Sequence, residues 1–345
     1  MKIAMLAPFE ESVPPTKYGG TELVVYNLVE GLVALGHEVF SLATGDSKTS
    51  ATLEQIFPRS IRNNVNDSFT RESMKYVGIG KVIGWLNENQ GNYDIIHNHI
   101  GWRLLPFAGM FKAPIITTLH GPLSDVKEEK VYRLFKNENY TSISLDQGSK
   151  LPSLNFIANV YNGIDFDKFE CSTKKGNYLA FLGRMSPTKG PLEAIKIARS
   201  AGIKLKMAAK IDMVDREYYE KEILPLIDGV NVEYVGEIGH EKKVEFLKNA
   251  MALIAPIQWD EPFGLIFIEA MACGTPVIAN KRGSVPEVVK HGVTGFHCIS
   301  EKDALEAILN IDSIDRQNCR DYSCSQFHYK NMVEGYIKSY ESLLK

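Results

Sequence analysis

Two glutamates eight positions apart are the first residues in this sequence whose types and spacing suggest chemistry. The segment at 260–276 reads DEPFGLIFIEAMACGTP, with Glu261 ahead of the Pro-Phe-Gly turn and Glu269 inside an apolar stretch. We predict that the turn at 263–265 opens a helix, where free N–H groups and the helix dipole favour a phosphate. At about 1.5 Å of rise per residue, the carboxylates are too far apart for the close pair of a glycosidase, and we expect them to reach opposite ends of one bound molecule. The alternative is a solvated Glu261 and a Glu269 that only caps the helix.

Two cations give a second signal. Arg184 and Lys189 follow a predicted strand at 178–182, in the run GRMSPTKG. Cations at the carboxyl end of a strand lie at the crevice of an α/β sheet and suit a diphosphate, for which arginine offers a planar fork and lysine a point charge. The alternative is that both side chains are solvated at the surface. Together with the two carboxylates, the cations favour a nucleotide sugar, which has hydroxyls on both sides of a diphosphate.

A pair of glycines, Gly19 and Gly20, lies between a predicted first strand at 2–7 and the start of a predicted helix. Glycine lets the backbone approach a ligand closely, and N–H groups at a helix start favour an anion. The alternative is a simple turn. The loop is not GxGxxG and the sequence has no GxxxxGK[ST] string, so neither the dinucleotide fingerprint nor a P-loop is predicted.

Three histidines follow predicted strands of the first half of the chain. His97 and His99 come at the end of DII, and His120 follows PIITTL. They are expected at the carboxyl ends of strands, beside a bound ligand, with purely structural histidines as the alternative. Two histidines without an adjacent carboxylate are a weak metal signal, and no DxD string is placed to hold a metal against a diphosphate, so no metal site is predicted.

Composition limits the partners. The chain has 345 residues, 44% hydrophobic and 23% charged, with a net charge of −3. Proteins that bind nucleic acid usually carry a basic excess, so no nucleic-acid partner is predicted. The five cysteines form no CxxC pair, which favours free thiols in a reducing compartment. No secretion signal and no run of about 18 apolar residues is evident, and a cytoplasmic protein is expected.

Alternating strand and helix patterns position these residues. One series runs over 1–161 and a second over 162–326, each typical of a doubly wound parallel sheet. The expected fold class is α/β, with two Rossmann-like domains facing each other across a cleft. The segment 55–67 shows no clear period and is predicted to be a loop, while 142–145 is predicted to be a strand.

Seven strings add up to a family resemblance over nearly the whole chain. They are PPTKYGGTE at 14–22, GHEV at 36–39, TLHG at 118–121, NGID at 162–165, LGRMSPTKG at 182–190, EPFGLIFIEAMACGTPVIA at 261–279 and GSVPEVVKHGVTGF at 283–296. In combination they resemble the family 4 retaining glycosyltransferases of group 1, whose E-x7-E spacing the two glutamates match without a gap. The resemblance implies the GT-B architecture, a donor-binding second domain, and a last helix at about 327–345 that crosses back onto the first domain.

The resemblance also implies roles for particular residues. Arg184 and Lys189 would hold the donor diphosphate and stabilise the leaving group. Glu261 would bind sugar hydroxyls, and His120 would contact the transferred sugar. The implied donor-binding residues are Gly19, Gly20, Glu237, Ile238, Phe263, Gly264, Leu265 and Glu269, with Glu269 on the ribose and the base near 237–238. Lys210, also a candidate donor-binding residue, departs from the family pattern, since it stands where a glycine-containing turn often follows the strand at 205–209. Lys210 is either a third diphosphate cation or a surface residue.

The implied reaction transfers a hexose from a nucleoside diphosphate sugar, UDP-glucose first, to a hydroxyl of a glycan, a lipid-linked sugar or a small molecule. Retention is expected at the anomeric carbon, with no cofactor and no metal requirement. A nucleotide-sugar epimerase of the GT-B type and a non-catalytic nucleotide-sugar binding protein are the alternatives. The run RLLPFAGMFK at 103–112 leaves weak peripheral attachment to the inner membrane face as an alternative to burial in the core.

Overall fold

Two parallel β-sheets, one in each part of the chain, organise the structure. The computed structural model describes residues 1–17, 19–62, 64–65, 67–123 and 126–345, and the side chains of 126–128 lie outside this description. The chain divides into unit 1, Met1–Gly163 with Tyr329–Lys345, and unit 2, Ile164–His328. The boundary expected from the sequence was 161–162.

Unit 1 is built on a seven-stranded sheet. Its elements are β1 (Lys2–Leu6), α1 (Gly20–Ala34), β2 (Glu38–Thr44), β3 (Thr52–Phe57), α2 (Ser68–Glu88), β4 (Ile95–Asn98), β5 (Ile115–Thr118), α3 (Val126–Leu134), β6 (Asn139–Ser142), α4 (Leu145–Lys150) and β7 (Phe156–Asn159). The strand order is β3-β2-β1-β4-β5-β6-β7, with parallel ladders throughout. The chain changes direction across the sheet between β1 and β4, and open α/β sheets bind ligands at such a point.

Two elements of unit 1 differ from the sequence prediction. β3 occupies part of the segment predicted to be a loop. It lies at the edge of the sheet next to β2, and four of its six residues keep contact with solvent, so its sequence shows little apolar pattern. Leu145 begins α4 and does not extend a strand, because the Ser144 side chain accepts the N–H of Gln147 and caps a helix there.

Unit 2 is built on a six-stranded sheet. Its elements are β8 (Tyr178–Arg184), α5 (Pro191–Ala201), β9 (Lys204–Lys210), α6 (Arg216–Tyr218), β10 (Val232–Gly236), α7 (His240–Lys248), β11 (Ala252–Ala255), α8 (Leu265–Ala272), β12 (Val277–Asn280), α9 (Val285–Val288), β13 (Gly295–Cys298), α10 (Glu301–Leu309) and α11 (Arg316–Phe327). The strand order is β10-β9-β8-β11-β12-β13, again with parallel ladders. The change of direction falls between β8 and β11. Every residue of β11 is buried, as expected for a short apolar strand covered on both faces.

The end of the chain contains two helices where one was predicted. The helix α11 ends at Phe327, His328 is extended, and α12 (Tyr329–Leu343) begins at Tyr329. The predicted start near 327 is therefore too early. The helix α12 belongs to unit 1, where Tyr336 and Tyr340 are fully buried. The sequence of α11 is too polar to show a helical apolar face, and its Arg316 and Arg320 donate to backbone carbonyls.

Most of the apolar run at 103–112 lies in a 3₁₀ helix, Gly101–Met110, and its last two residues follow the helix. Leu104 and Leu105 are buried, whereas Phe107 and Met110 are exposed. Within the ranges that the structure describes, no helix is long and apolar enough to cross a bilayer.

Candidate functional site

Three predicted cations of unit 2, Arg184, Lys189 and Lys210, lie at or just after the ends of strands β8 and β9. Arg184 is the last residue of β8 and Lys210 the last of β9, and the two are direct partners in the sheet register. Neighbouring strands run about 4.8 Å apart, so the two cations leave the sheet side by side. Lys189 follows on the loop after β8. The loop after β11 approaches this loop, since Gln258 N donates to Thr188 O at 2.8 Å.

Arg184 and Lys210 each have an acidic neighbour on the loop after β9. Arg184 Nε lies 2.8 Å from Asp215 Oδ2, and Lys210 Nζ lies 4.0 Å from Asp212 Oδ2. Asp215 is buried, and burial raises the pKa of its carboxyl although Arg184 acts in the opposite direction. These acids hold the cations in place, and a diphosphate would compete with them because its oxygens are strong acceptors for the same donors.

Lys189 belongs to a three-residue cluster with Glu261 and Trp259. Glu261 Oε2 accepts hydrogen bonds from Lys189 Nζ and from Trp259 Nε1, the latter at 2.9 Å. Lys189 Nζ also lies 4.8 Å from the centre of the Trp259 ring, a cation–π distance. Glu261 is buried, so the lysine supplies the counter-charge that a buried carboxylate needs. The cluster orients a predicted cation and a predicted carboxylate together.

The turn before α8 has the geometry of an anion site. Gly264 caps the helix with φ of 81°, and no side chain of the described residues caps the first N–H groups. A Cβ on Gly264 would lie 2.3 Å from the Phe267 ring, so only glycine fits. Leu265 keeps contact with solvent whereas Phe263 is buried. The helix therefore presents uncapped N–H groups at an accessible end, as predicted.

A second loop holds this turn in place. Ser284 N donates to Glu261 O at 2.9 Å, and Ser284 Oγ donates to Phe263 O at 2.9 Å. Gly283 comes so close that a Cβ there would lie 2.4 Å from Glu261 N. The GSVPEVV string thus supports the predicted turn through its backbone and one hydroxyl.

Glu269 lies apart from Glu261 in its contacts. It is 3% exposed, on α8, and its Oε1 accepts a hydrogen bond from Lys243 Nζ of α7. Among the residues that the structure describes, the side chains of the two glutamates share no hydrogen-bond partner, in keeping with a spacing that puts them at different parts of a ligand. The predicted base contacts, Glu237 and Ile238, are half-buried and directly follow β10.

In unit 1, the predicted glycine pair lies at the start of α1. Gly19 is the cap residue and Gly20 the first helical residue. A Cβ on Gly19 would lie 2.6 Å from Pro15 Cβ, so the residue serves close packing within the loop after β1. Glu22, in the first turn of α1, is buried, and burial raises its pKa.

The three histidines of unit 1 that the sequence singled out, His97, His99 and His120, lie together, but they do not all face a ligand as predicted. His97 is fully buried inside β4, with Nδ1 2.6 Å from Tyr340 Oη and Nε2 2.7 Å from Thr118 Oγ1. Its ring is thus saturated and structural. His99 is 4% exposed, and its Nδ1 lies 2.8 Å from Nε2 of His120, which is only half-buried. Burial lowers the pKa of all three rings, that of His120 to about 4.

Sequence reasoning missed the residues that orient the predicted ones. Asp215, Trp259 and Lys243 act through Arg184, Glu261 and Glu269. Of the three, Trp259 could most readily have been predicted from the sequence. It stands two positions before Glu261, and the indole N–H of a tryptophan beside a loop carboxylate is a natural hydrogen-bond donor. Asp215 and Lys243 reach the site from a loop and a helix whose placement depends on the packed structure.

One group within the described ranges has ligand atoms close enough for a metal ion. Asp165, Asp167 and His328 place such atoms within 4.8 Å of one another. Asp165 Oδ1 already accepts the N–H of Asp167, and Lys168 Nζ lies 3.7 Å from its other oxygen. No metal site was predicted at these three residues.

Two Rossmann-like α/β units, each with its chemical residues at the carboxyl ends of parallel strands, define the GT-B class of enzymes. Two family models match the chain, Glycosyltransferase Family 4 over residues 18–147 and Glycosyl transferases group 1 over residues 164–323. The chain belongs to the group 1, family 4 glycosyltransferases.

Two curated proteins are similar to this chain over most of its length. An "uncharacterized 41.2 kDa protein in cps region" of Klebsiella pneumoniae is 28% identical, with 96% of this chain and 98% of that protein covered. A D-inositol 3-phosphate glycosyltransferase of Mycobacterium leprae is 26% identical over 72% of this chain and 69% of its own length.

Solved structures share the fold. AviGT4, a glycosyltransferase involved in avilamycin A biosynthesis, superposes with a TM-score of 0.77 at 24% identity, covering 99% of this chain and 98% of its own. HepE of Anabaena, crystallised with UDP and glucose, also gives 0.77, at 20% identity over 99% of this chain and all of its own.

Proposed function

We propose that the protein transfers a hexose from a nucleoside diphosphate sugar to a hydroxyl of an acceptor, with retention of anomeric configuration and without a metal ion. One observation carries the proposal. Around the ends of β8 and β9, Arg184, Lys189 and Lys210 lie in one unit with the uncapped start of α8. The combination matches the charge and the hydrogen-bonding needs of a diphosphate.

Donor binding exchanges partners at these cations. Arg184 and Lys189 are paired with Asp215 and Glu261 in the structure. A diphosphate takes over part of this pairing, and Glu261 is then free to accept from sugar hydroxyls. Charged acceptors strengthen each such hydrogen bond in a site with little water.

The nucleoside is held by Glu269 and the segment after β10. Lys243 occupies Oε1 of Glu269, which leaves Oε2 for a ribose hydroxyl. Glu237 and Ile238 pack against the base. Gly19 and Gly20 of unit 1 approach the donor through their backbone.

The reaction breaks the bond between the anomeric carbon and the diphosphate oxygen, and the electron pair leaves with the diphosphate. Arg184, Lys189 and the α8 N–H groups stabilise that developing charge, an effect usually worth several kcal/mol. The acceptor oxygen bonds to the same face of the sugar and gives its proton to the departing phosphate. His120, neutral because burial lowers its pKa to about 4, donates a hydrogen bond to the transferred sugar.

UDP-glucose is the first donor to test and GDP-mannose the second. HepE, whose fold the chain shares, was crystallised with UDP and glucose and with UDP-glucose. The acceptor is a glycan, a lipid-linked sugar or a small natural product. All five cysteines are free thiols, which supports the proposal of a cytoplasmic enzyme. Weak attachment to the inner membrane face through exposed Phe107 and Met110 is the alternative.

Donor hydrolysis tests the proposal without knowledge of the acceptor. The protein is incubated with UDP-glucose or GDP-mannose, with and without EDTA, and the released sugar is followed by proton NMR. We expect the α-anomer first, equally with EDTA. The β-anomer first would contradict retention, a new sugar nucleotide would indicate an epimerase, and complete loss with EDTA would contradict metal independence and direct attention to Asp165, Asp167 and His328.

A further inference from the structure

A pair of histidines at the ends of β4 and β5 shares one proton. His99 Nδ1 and His120 Nε2 are 2.8 Å apart, with ring centroids 5.1 Å apart and planes inclined by 29°. At this distance one nitrogen donates an N–H and the other accepts it. The question is which ring is the donor.

The buried side of His99 decides this. His99 is 4% exposed, and its Nε2 has no hydrogen-bond partner in the part of the chain that the structure describes. A buried N–H without an acceptor is costlier than a lone pair without a donor. The proton of a neutral His99 is therefore assigned to Nδ1, which donates to His120 Nε2.

This assignment sets the state of His120. Because Nε2 accepts, the proton of a neutral His120 is on Nδ1. That nitrogen makes no hydrogen bond to a described residue, and the side chain is only half-buried. His120 thus offers an N–H donor to its accessible side.

The ring of His99 cannot easily turn to undo this arrangement. Its face lies against His97, with centroids 4.0 Å apart. His97 is anchored at both nitrogens by Tyr340 and Thr118, and the Tyr336 ring packs against His97, with centroids 4.7 Å apart and its hydroxyl 3.0 Å from Thr118 Oγ1. Helix α12 therefore holds His97, and His97 holds His99.

We propose that His99 is a positioning residue that fixes His120 in the Nδ1–H tautomer, so that His120 meets the transferred sugar with a hydrogen-bond donor. This proposal rests on the proposed function, in which His120 touches that sugar. His99 itself contacts no substrate. The nearby His97 supports it mechanically and takes no part in the proton arrangement.

The test compares His99→Leu with His99→Asn. The amide nitrogen of asparagine lies close to the position of histidine Nδ1 and restores a donor, whereas leucine fills a similar space without one. Nitrogen NMR of protein labelled with ¹⁵N-histidine reports which ring nitrogen of His120 carries the proton. Circular dichroism checks that each variant is folded.

In the wild type and in His99→Asn we expect a protonated Nδ1 and an unprotonated Nε2 on His120. In His99→Leu we expect the proton on Nε2. The kcat of UDP-glucose turnover should fall about tenfold in His99→Leu and stay within about threefold in His99→Asn, as expected for one hydrogen bond. UDP affinity should be equal in all three, because UDP lacks the sugar that His120 touches.

Several results would overturn the proposal. The first is an Nε2–H tautomer of His120 in the wild type, a result that decides the matter even where His99→Leu fails to fold. The second is an unchanged tautomer of His120 in His99→Leu. The third is a kcat in His99→Asn as low as in His99→Leu. A wild-type protein that turns over no sugar nucleotide would contradict the proposed function, while the NMR spectra would still decide the tautomer.

Discussion

At the residue scale, the donor site consists of cations and carboxylates that satisfy one another in the absence of ligand. Arg184 is paired with Asp215, and Lys189 with Glu261. Such pairs keep long side chains in one conformation, so a ligand that replaces one partner finds the other already oriented. The proposed diphosphate site is thus preorganised by acids that the ligand displaces.

Lys210 offers the sharpest test at this scale because β9 has a lysine at each end. Lys210→Gln should weaken binding of a nucleoside diphosphate by about 10- to 100-fold, the usual effect of one hydrogen bond to a charged group. Lys204→Gln, at the opposite end of β9 and paired with Glu233 at 2.7 Å, should leave affinity unchanged. Calorimetric titration measures both variants. Equal affinities would show that Lys210 is only a surface residue.

The sequence located these charged residues but not their partners. The order of apolar runs, turns and charges shows that Arg184, Lys189 and Glu261 follow strands, and the E-x7-E spacing singles out the two glutamates. The identity of Asp215 as partner of Arg184 depends on how the loop after β9 folds back. His97 was misjudged for a related reason: a histidine at the end of an apolar run looks the same whether its ring meets solvent or, as here, Tyr340 and Thr118.

At the element scale, tight turns bring the loops of the site together. Gly190, between Lys189 and α5, has φ of 73°, and a Cβ there would lie 2.1 Å from Pro256 O. The loop after β8 therefore passes directly against the end of β11. This close approach places Lys189 beside Glu261 of the next loop.

Gly190→Ala should disrupt this approach, and Gly202→Ala provides the control. Gly202 also has a positive φ, 65°, but open space around its Cβ position. Gly202→Ala should cost about 1 kcal/mol of unfolding free energy from backbone strain alone. Gly190→Ala adds a clash with backbone and should cost more, with weaker nucleotide binding. Urea unfolding and titration compare them, and equal costs would show that the approach of the loops is not tight.

Elements with a clear apolar period were predictable, and those without one were not. The strand β3 and the helix α11 both lack that period, β3 because it is an outer strand and α11 because hydrogen bonds from Arg316 and Arg320 replace an apolar face. The start of α8 was predictable because Pro-Phe-Gly is a local signal. The break at His328 was not, since no glycine or proline marks it.

At the scale of the whole molecule, unit 1 carries three histidines, His97, His99 and His120, whose lowered pKa values make its stability depend on pH. The pKa values of His97, His99 and His120 are lowered by burial. Between the ordinary histidine pKa of about 6.5 and the lowered values, the unfolded chain binds protons that the folded chain does not. Stability is therefore fully present above about pH 6.5 and is lost as the pH falls below it.

The expected loss of stability between pH 7 and pH 5.5 is about 1.2 kcal/mol for each histidine, or about 4 kcal/mol for three. Urea unfolding between pH 7 and pH 5.5 measures it through the free energy of unfolding of unit 1. His120→Gln removes one proton and should reduce the slope by about a third. A slope that is flat, or unchanged by this substitution, would contradict the assignment of neutral buried rings.

The central claim is that unit 2 binds a nucleoside diphosphate at the ends of β8 and β9. The most direct measurement is calorimetric titration of the wild-type protein with UDP, GDP, ADP and TDP, each compared with its nucleoside. We predict that one diphosphate binds at least about 100-fold more tightly than its nucleoside, a difference of about 2.7 kcal/mol that reports the phosphate contacts. Equal binding of diphosphate and nucleoside, or no binding of any of the four, would contradict the account.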